Sequence, residues 1–539
     1  MSSTSSTQTQ REHLAPRWLA MMVAALGLLL EGCPQTGADC GEGLTSCFDQ
    51  CVDLSSSTTH CGSCTRICGQ GQVCSEGTCQ CQQDARLCAG ACAVVASDPR
   101  NCGACGLICG QGQVCESGQC KVSCSQGLAR CGDSCVDLAK DPGHCGTCET
   151  ACGDAQSCHS GVCTYDVVAA CFNTGQVVGI QAGTTLKGPN RPVGDRPQSV
   201  ARMQDVLLVL DAAKKLREAR LVDYATLPAA PATDDAPNQV LVEDPYVYVL
   251  NSTSNTLLVF QRKIELGALT EGTRFPQGLG LEPVARVDFG ANTNPFGMAR
   301  LGTDLWVTLY GNLGGDVSAG GKVARVNLAD PLHPQLMTPY IQLPGGEALQ
   351  PFQGSSPIPS PSGIAALRGQ LYVALNNLDP NTYGSGGPGL VARINPQTQE
   401  VKYLPLGDNC LNPGWLAPVG NKLLVSCAGQ ATYDASFNLV AVEKTSMVLL
   451  DEQDVVASDR LIVCPQSGGT CALPSAGRFA VVGNRAYVGD NNAGRIFVFE
   501  VAGSALTEVR GLDPATQPPI PACQREAGFS LVGDVVAIP

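Results

Sequence analysis

Cysteine is the residue whose number and spacing in this chain can do chemistry: there are 31, against five histidines. Twenty-four of them form a ladder. They fall at Cys40, Cys47, Cys51, Cys61, Cys64, Cys68, Cys74 and Cys79; at Cys81, Cys88, Cys92, Cys102, Cys105, Cys109, Cys115 and Cys120; and at Cys124, Cys131, Cys135, Cys145, Cys148, Cys152, Cys158 and Cys163. The gaps of 7, 4, 10, 3, 4, 6 and 5 repeat three times without a slip. Each copy is therefore one folding module, at 40–79, 81–120 and 124–163.

Sulfur at such spacing either oxidises in pairs or holds metal. Cys61-Gly-Ser-Cys64, Cys102-Gly-Ala-Cys105 and Cys145-Gly-Thr-Cys148 have the spacing of a zinc knuckle. His60 and His144 precede that pair in the outer copies, but Asn101 stands there in the middle one, so no constant ligand set exists. Disulfides are the expectation. A module of about 40 residues, poor in large apolar side chains, buries too little surface to order itself without cross-links. Eight cysteines supply four bridges, and their 105 possible pairings stay open.

Seven cysteines remain. The expected bridges are Cys464 with Cys471 across a Gly-rich loop, Cys410 with Cys427, and Cys171 with Cys523 between the two ends of the downstream region. Cys33 is then the odd one. It follows a polar stretch holding Arg11 and Arg17 and an apolar run, Trp18 to Leu30. That run has the length of a signal-peptide core and is too short to cross a bilayer as a helix. Leu30-Glu31-Gly32-Cys33 resembles the bacterial lipobox, although Glu31 departs from it. The resemblance implies a signal peptide over 1–32, a diacylglycerol on the Cys33 sulfur and, with Pro34 following, an outer-membrane or cell-surface location.

Composition points to strands. Charged residues make up 15% and hydrophobic ones 44%, with 61 Gly and 35 Pro, a balance suited to short strands and turns. The net charge of −14 and the lack of a basic run exclude a nucleic-acid partner.

From Val167 to Pro539 a looser repeat appears. A Pro-x-Gly-apolar-Ala-like segment precedes a strongly apolar one: Pro197–Ala201 before Leu207–Leu210, Pro237–Leu241 before Tyr246–Leu250, Pro295–Ala299 before Leu305–Leu309 and Pro361–Ala365 before Leu371–Leu375. The series continues with Pro413–Ala417 before Leu423–Ser426, Ala476–Ala480 before Ala486–Gly489, and Glu526–Ser530 before Asp534–Ile538. Polar turns such as Asn251–Asn255 and Asp490–Gly494 lead on to third strands. The expected fold is all-β: a seven-bladed β-propeller over 167–539, preceded by the three disulfide-rich modules. The last pair lacks a third strand and Cys171–Ile180 lacks a first and second, so the ends are expected to share a blade.

Two family resemblances follow from these residues. Cys51-Val-Asp-Leu with His60-Cys-Gly-Ser-Cys64, and Cys135-Val-Asp-Leu with His144-Cys-Gly-Thr-Cys148, are similar to the plant stigma-specific repeats, which also occur in surface lipoproteins of myxobacteria. This implies an extracellular binding or spacer module. The downstream half resembles the YVTN and NHL-like propellers.

No catalytic set, metal site or cofactor is expected. His333 is the single histidine of the propeller, and Ser426-Cys427 and Ser475-Ala476 lack the context of a nucleophile elbow. Asn251, Asn376, Asn377, Asp490 and Asn491 are the candidates for a tunnel metal in an alternative, lactonase-like exported hydrolase. They sit where tight turns want Asn and Asp anyway. Gly311–Gly321 and Asn376–Gly389, rich in Gly and Pro, are either binding loops on one rim or tolerated insertions. The leading expectation is a monomeric, lipid-anchored surface protein in which the modules act as a stalk that presents the propeller for binding or scaffolding, with a protein or polysaccharide as its ligand.

Overall fold

The computed structural model describes residues 40–538 apart from 41–42, 49, 70, 83, 111, 122, 185, 268–272, 312–319, 353–358, 377–386, 435, 437, 463–472, 511–518 and 524–530. Cys33, the Cys464–Cys471 pair, Asn377 and Glu526–Ser530 lie outside the described residues.

The three modules share one cross-linking scheme. In the first, Cys40 joins Cys51, Cys47 joins Cys64, Cys61 joins Cys74 and Cys68 joins Cys79. The second repeats it with Cys81–Cys92, Cys88–Cys105, Cys102–Cys115 and Cys109–Cys120. In the third the bridges are Cys124–Cys135, Cys131–Cys148, Cys145–Cys158 and Cys152–Cys163. The two cysteines of each CxxC thus go to different partners. Each module carries two short hairpins, Thr45–Cys47 with Gln50–Val52 and Gln72–Ser75 with Thr78–Cys81 in the first. The buried side chains around them are mainly the half-cystines themselves, so sulfur stands in for a core.

Downstream the chain forms a succession of antiparallel sheets. Their first strands are Pro197–Met203, Pro237–Glu243, Pro295–Leu301, Pro361–Leu367, Pro413–Val419 and Ala476–Val482. Proline at the first strand position suits a site where no ladder N–H is needed. The second strands, such as Val206–Asp211 and Asp304–Leu309, are buried along their whole length. They read as unbroken apolar runs because neighbouring sheets cover both their faces. Seven apolar layers result, each between two consecutive sheets. One of them joins the sheet built from both chain ends to the first, placing Val168 and Ile538 against Val200 and Val209.

That sheet differs from the sequence expectation. The C-terminus supplies one strand, Val532–Ala537, which is the innermost, and the N-terminal part supplies three: Val167–Cys171, Gln176–Ile180 and Arg191–Pro192. Val167–Cys171 is fully buried and fills the slot between two apolar layers. Val532–Ala537, though apolar enough for a second strand, carries Asp534, which bonds a neighbouring first strand. Cys171 is disulfide-bonded to Cys523, and Cys410 to Cys427.

The modules do not form an extended stalk. The second pairs with the third through Cys115 and Ser134, and a Cβ at Gly71 of the first would lie 3.2 Å from Cys92 of the second. Val73 of the first and Ala155 of the third share one apolar cluster with Leu186 and Tyr224 of the sheets. Asp166 ties this junction together. Its carboxylate accepts hydrogen bonds from Ser157 Oγ (3.1 Å) and Ala182 N (2.7 Å) and lies 2.8 Å from His159 Nε2, while its carbonyl accepts from Ile538 N. Tyr165 stacks on Tyr224 at 5.6 Å and lies over Gly179, where a Cβ would come within 2.0 Å of the ring.

Candidate functional site

The register of the sheets assigns each loop to one of two ends. Pro295 pairs with Leu309, Pro361 with Leu375 and Pro413 with Cys427, so first strands begin where second strands finish. The connections from second to third strands therefore leave from that same end, here called the mouth. In the first, second and sixth sheets they are tight turns, spanning 212–214, 252–255 and 491–494. In the third, fourth and fifth they run over 310–321, 376–389 and 428–445. The last contains a hairpin that the sequence reading missed, Gln430–Tyr433 with Leu439–Glu443, whose Tyr433 and Val440 are about half exposed. Gly311–Gly321 and Asn376–Gly389 thus connect at the mouth on adjacent sheets.

Of the residues weighed for a tunnel metal, Asn251, Asp490 and Asn491 belong to tight turns, whereas Asn376 begins a long connection. Asp490 is buried and accepts from Ser475 N, Asn492 N and Arg495. Burial pushes its carboxyl up, against the pull of Arg495. In the first sheet Asp211 likewise accepts hydrogen bonds from Asp195 N, Lys215 N and Arg217. Asn251 donates to Val249 O and Thr256 Oγ1. Asn376 donates to Tyr310 Oη at 3.5 Å, and Asn491 Nδ2 lies 3.5 Å from Ser475 Oγ. At the equivalent strand ends of the third, fourth and fifth sheets stand Leu309, Leu375 and Cys427. Where the turn is tight an acid or amide anchors it; where a longer connection leaves, that anchor is missing. His333 is exposed and pairs with Asp330.

Around the axis just inside the mouth, every sheet is stitched to the next by a side chain. Ser199 Oγ donates to Asp534 Oδ2 at 2.8 Å and accepts from Val240 N. Gln239 Oε1 accepts from Met298 N, Thr308 Oγ1 donates to Ser362 O, Ser362 Oγ to Pro413 O and Ser426 Oγ to Gly477 O. Arg478 completes the circuit, with Nη1 3.5 Å from Asp534 Oδ2. Its Nη2 also reaches from the sixth sheet to the second, donating to Asn238 O at 2.8 Å, and its guanidinium lies 4.6 Å from the Trp415 ring centre. An arginine stacked on tryptophan, hydrogen-bonded to Asn238 O on one side and ion-paired with Asp534 on the other, is fixed in place. Among the described residues, this pair of opposite charges with Trp415 is the chemistry on the axis.

Among the described residues, the only groups of three His, Cys, Asp or Glu close enough to share an ion are Cys61, Cys68 and Cys74; Cys102, Cys109 and Cys120; and Cys145, Cys152 and Cys163. All of these sulfurs are in disulfides. No helix among the described residues is long and apolar enough to cross a membrane.

The stigma-specific STIG1-like family model matches residues 116–166, the third module and its junction with the sheets. No curated protein matches. Solved structures similar to the chain include apo AztD from Citrobacter koseri, at 14% identity and TM-score 0.41 over 69% of this chain and 97% of that one. A candidate 6-phosphogluconolactonase from Bacteroides uniformis is 11% identical with TM-score 0.44, over 66% and 97%. BamB from Moraxella catarrhalis is 10% identical with TM-score 0.36, over 69% and 86%. The neighbours are propeller-like; at these identities and scores they say nothing of what this chain binds or acts on.

Proposed function

We propose that this chain is an exported, lipid-anchored surface protein built on a seven-bladed β-propeller, and that it binds a protein or polysaccharide partner at the mouth of the ring. The observation that carries the reading is the opposition of two ends. The long connections of three consecutive sheets leave from the mouth, whereas the cysteine-rich modules dock at the other end, through Leu186 and Tyr224 beyond the finishing ends of third strands. Fourteen disulfides among the described residues favour an oxidising compartment. An acyl group on Cys33, separated from Cys40 by the six residues Pro34 to Asp39, would hold the modules toward the membrane within about 20 Å. The mouth then faces away from it, and long loops on a rigid scaffold are where recognition concentrates.

A photo-crosslinking amino acid at Tyr433 on the mouth hairpin, compared with one at Val455 on the opposite end, tests the binding face, because the two positions are similarly exposed (52% and 59%). Envelope partners are expected from Tyr433 alone. Equal yields from both would sink the reading. Metabolic labelling with radioactive palmitate tests the anchor, with loss of label expected in Cys33→Ala.

A further inference from the structure

The modules are not equivalent on their surfaces. Of the large hydrophobic side chains exposed on them, Phe48, Ile67, Leu87, Leu107 and Ile108 stand out at 58–75% exposure, and all belong to the first two modules. Ile67 and Ile108 stand at matching repeat positions, and none of the five has a large apolar counterpart in the third module. Ile67 and Ile108 each precede the sixth cysteine of their module, where the third module has Ala151; Leu87 precedes the second cysteine, where the third has Arg130. Leu107 corresponds to Thr150, and Phe48 to Gly132.

The disulfides gather these residues onto two loops per module. Cys47–Cys64 joins the Phe48 turn to the loop leading to Ile67, and Cys88–Cys105 joins Leu87 to the loop carrying Leu107 and Ile108. The packed side of the first module is a different one: Ser56, Ser57, Thr58 and Val73 line a cleft against Leu186 and Lys187. Exposed Arg66 and Arg86 flank Ile67 and Leu87. Apolar side chains edged by arginines, whose stems lie along hydrocarbon while their heads stay in water, suit a lipid–water interface.

The chain's entry point adds the reason for a membrane rather than a second protein. Cys40, the first described residue, is bonded to Cys51, which pairs with Ser46 on the same hairpin that carries Phe48 at its turn. The tether thus emerges beside the apolar loops. We infer that the first two modules rest on a lipid surface through Phe48, Ile67, Leu87, Leu107 and Ile108, a contact separate from the acyl chain but resting on the anchor reading for its orientation. The net charge of −14 points to zwitterionic lipid in place of anionic lipid.

The test uses the mature chain from Pro34 onward, which keeps every described residue and lacks Cys33, exported so that its disulfides form. Sedimentation with phosphatidylcholine vesicles is expected to show binding that falls at least tenfold in the triple variant Phe48→Ser, Ile67→Ser, Ile108→Ser. A control triple at exposed residues of the sheets away from the mouth, Leu266→Ser, Leu332→Ser and Val455→Ser, is expected to bind within twofold of the parent. Adding anionic lipid is expected to give no gain. A parent that does not bind, or a module triple that binds like the control, overturns the inference. Palmitate labelling of the unaltered protein reports on the anchor independently, so failure of either statement is seen apart from the other.

Discussion

The cysteine-rich modules and the sheet ring hold similar short antiparallel hairpins in place by opposite means. In the modules, neighbouring backbone is joined by sulfur, and little else is buried. In the ring, seven apolar layers and a circuit of side-chain hydrogen bonds completed by the Arg478–Asp534 ion pair join one sheet to the next, and the described bridges number only two. The difference follows from size. A segment of about 40 residues cannot bury enough apolar surface to offset its chain entropy, whereas each sheet of the ring shares both faces with neighbours. Covalent restriction therefore matters where burial is scarce, and at the point where the ring closes on its own ends.

The strongest way to break the comparison is reduction. Dithiothreitol is expected to unfold the modules completely, since each carries four bridges worth roughly 2–4 kcal/mol apiece, while the ring, whose two described bridges are fully buried in its apolar layers and shielded from the reagent, stays protected. Limited proteolysis with mass spectrometry reads this as cleavage confined to 40–163; equal digestion of both regions would refute it. Within the ring, Cys171→Ser with Cys523→Ser opens a closure 352 residues apart in sequence and is expected to lower stability by about 5 kcal/mol. Removing Cys410–Cys427, 17 residues apart, should lower it by about 3 kcal/mol. Denaturant midpoints rank the two.

The circuit of side-chain bonds is probed next. Asp534→Ala strips partners from Ser199, Val200 N and Arg478 together and is expected to destabilise by about 3 kcal/mol. Ser362→Ala removes a neutral link and is expected to destabilise by about 1 kcal/mol. Similar losses from the two would mean the charged junction is not special.

Glu218 sharpens the contrast through pH. It is buried in the first sheet, accepts from Leu279 N at 2.6 Å, and burial raises its pKa to about 7. The unfolded chain ionises it first, so the folded state loses stability as pH rises from about 4.5 to about 7 and changes no further above that, by up to about 3 kcal/mol in all. Glu218→Gln should flatten that slope in thermal melts, while melting of the modules stays unaffected. The smallest effect is expected at Ala236, held at φ 53° before Pro237. Ala236→Gly should stabilise by about 0.5–1 kcal/mol, read as a rise in Tm.

Much of this was legible in the residues. The unslipped cysteine gaps marked the modules, because a repeated covalent frame tolerates no insertion between its ends. Proline and the apolar runs marked the first and second strands, because their position in the sheet dictates those side chains. The division of the closing sheet was misread: Asp534–Ile538 has the composition of a second strand, and only its pairing beside Val167–Cys171 places it innermost. The mouth hairpin was missed because Gln430–Tyr433 and Leu439–Glu443 lack strong alternation and are held mainly by each other. Arg478 carried no local signal, since its partners lie in the second, fifth and seventh sheets.

Spacing and composition alone determined the strand-rich class, the number of modules and the oxidised state expected of their sulfur, because each of these is a local or counting property. Disulfide connectivity, the folding back of the modules onto the ring and the gathering of three long connections at one end were decided by tertiary structure. Those features depend on which surfaces meet across hundreds of residues, and no window of sequence contains both sides of such a contact.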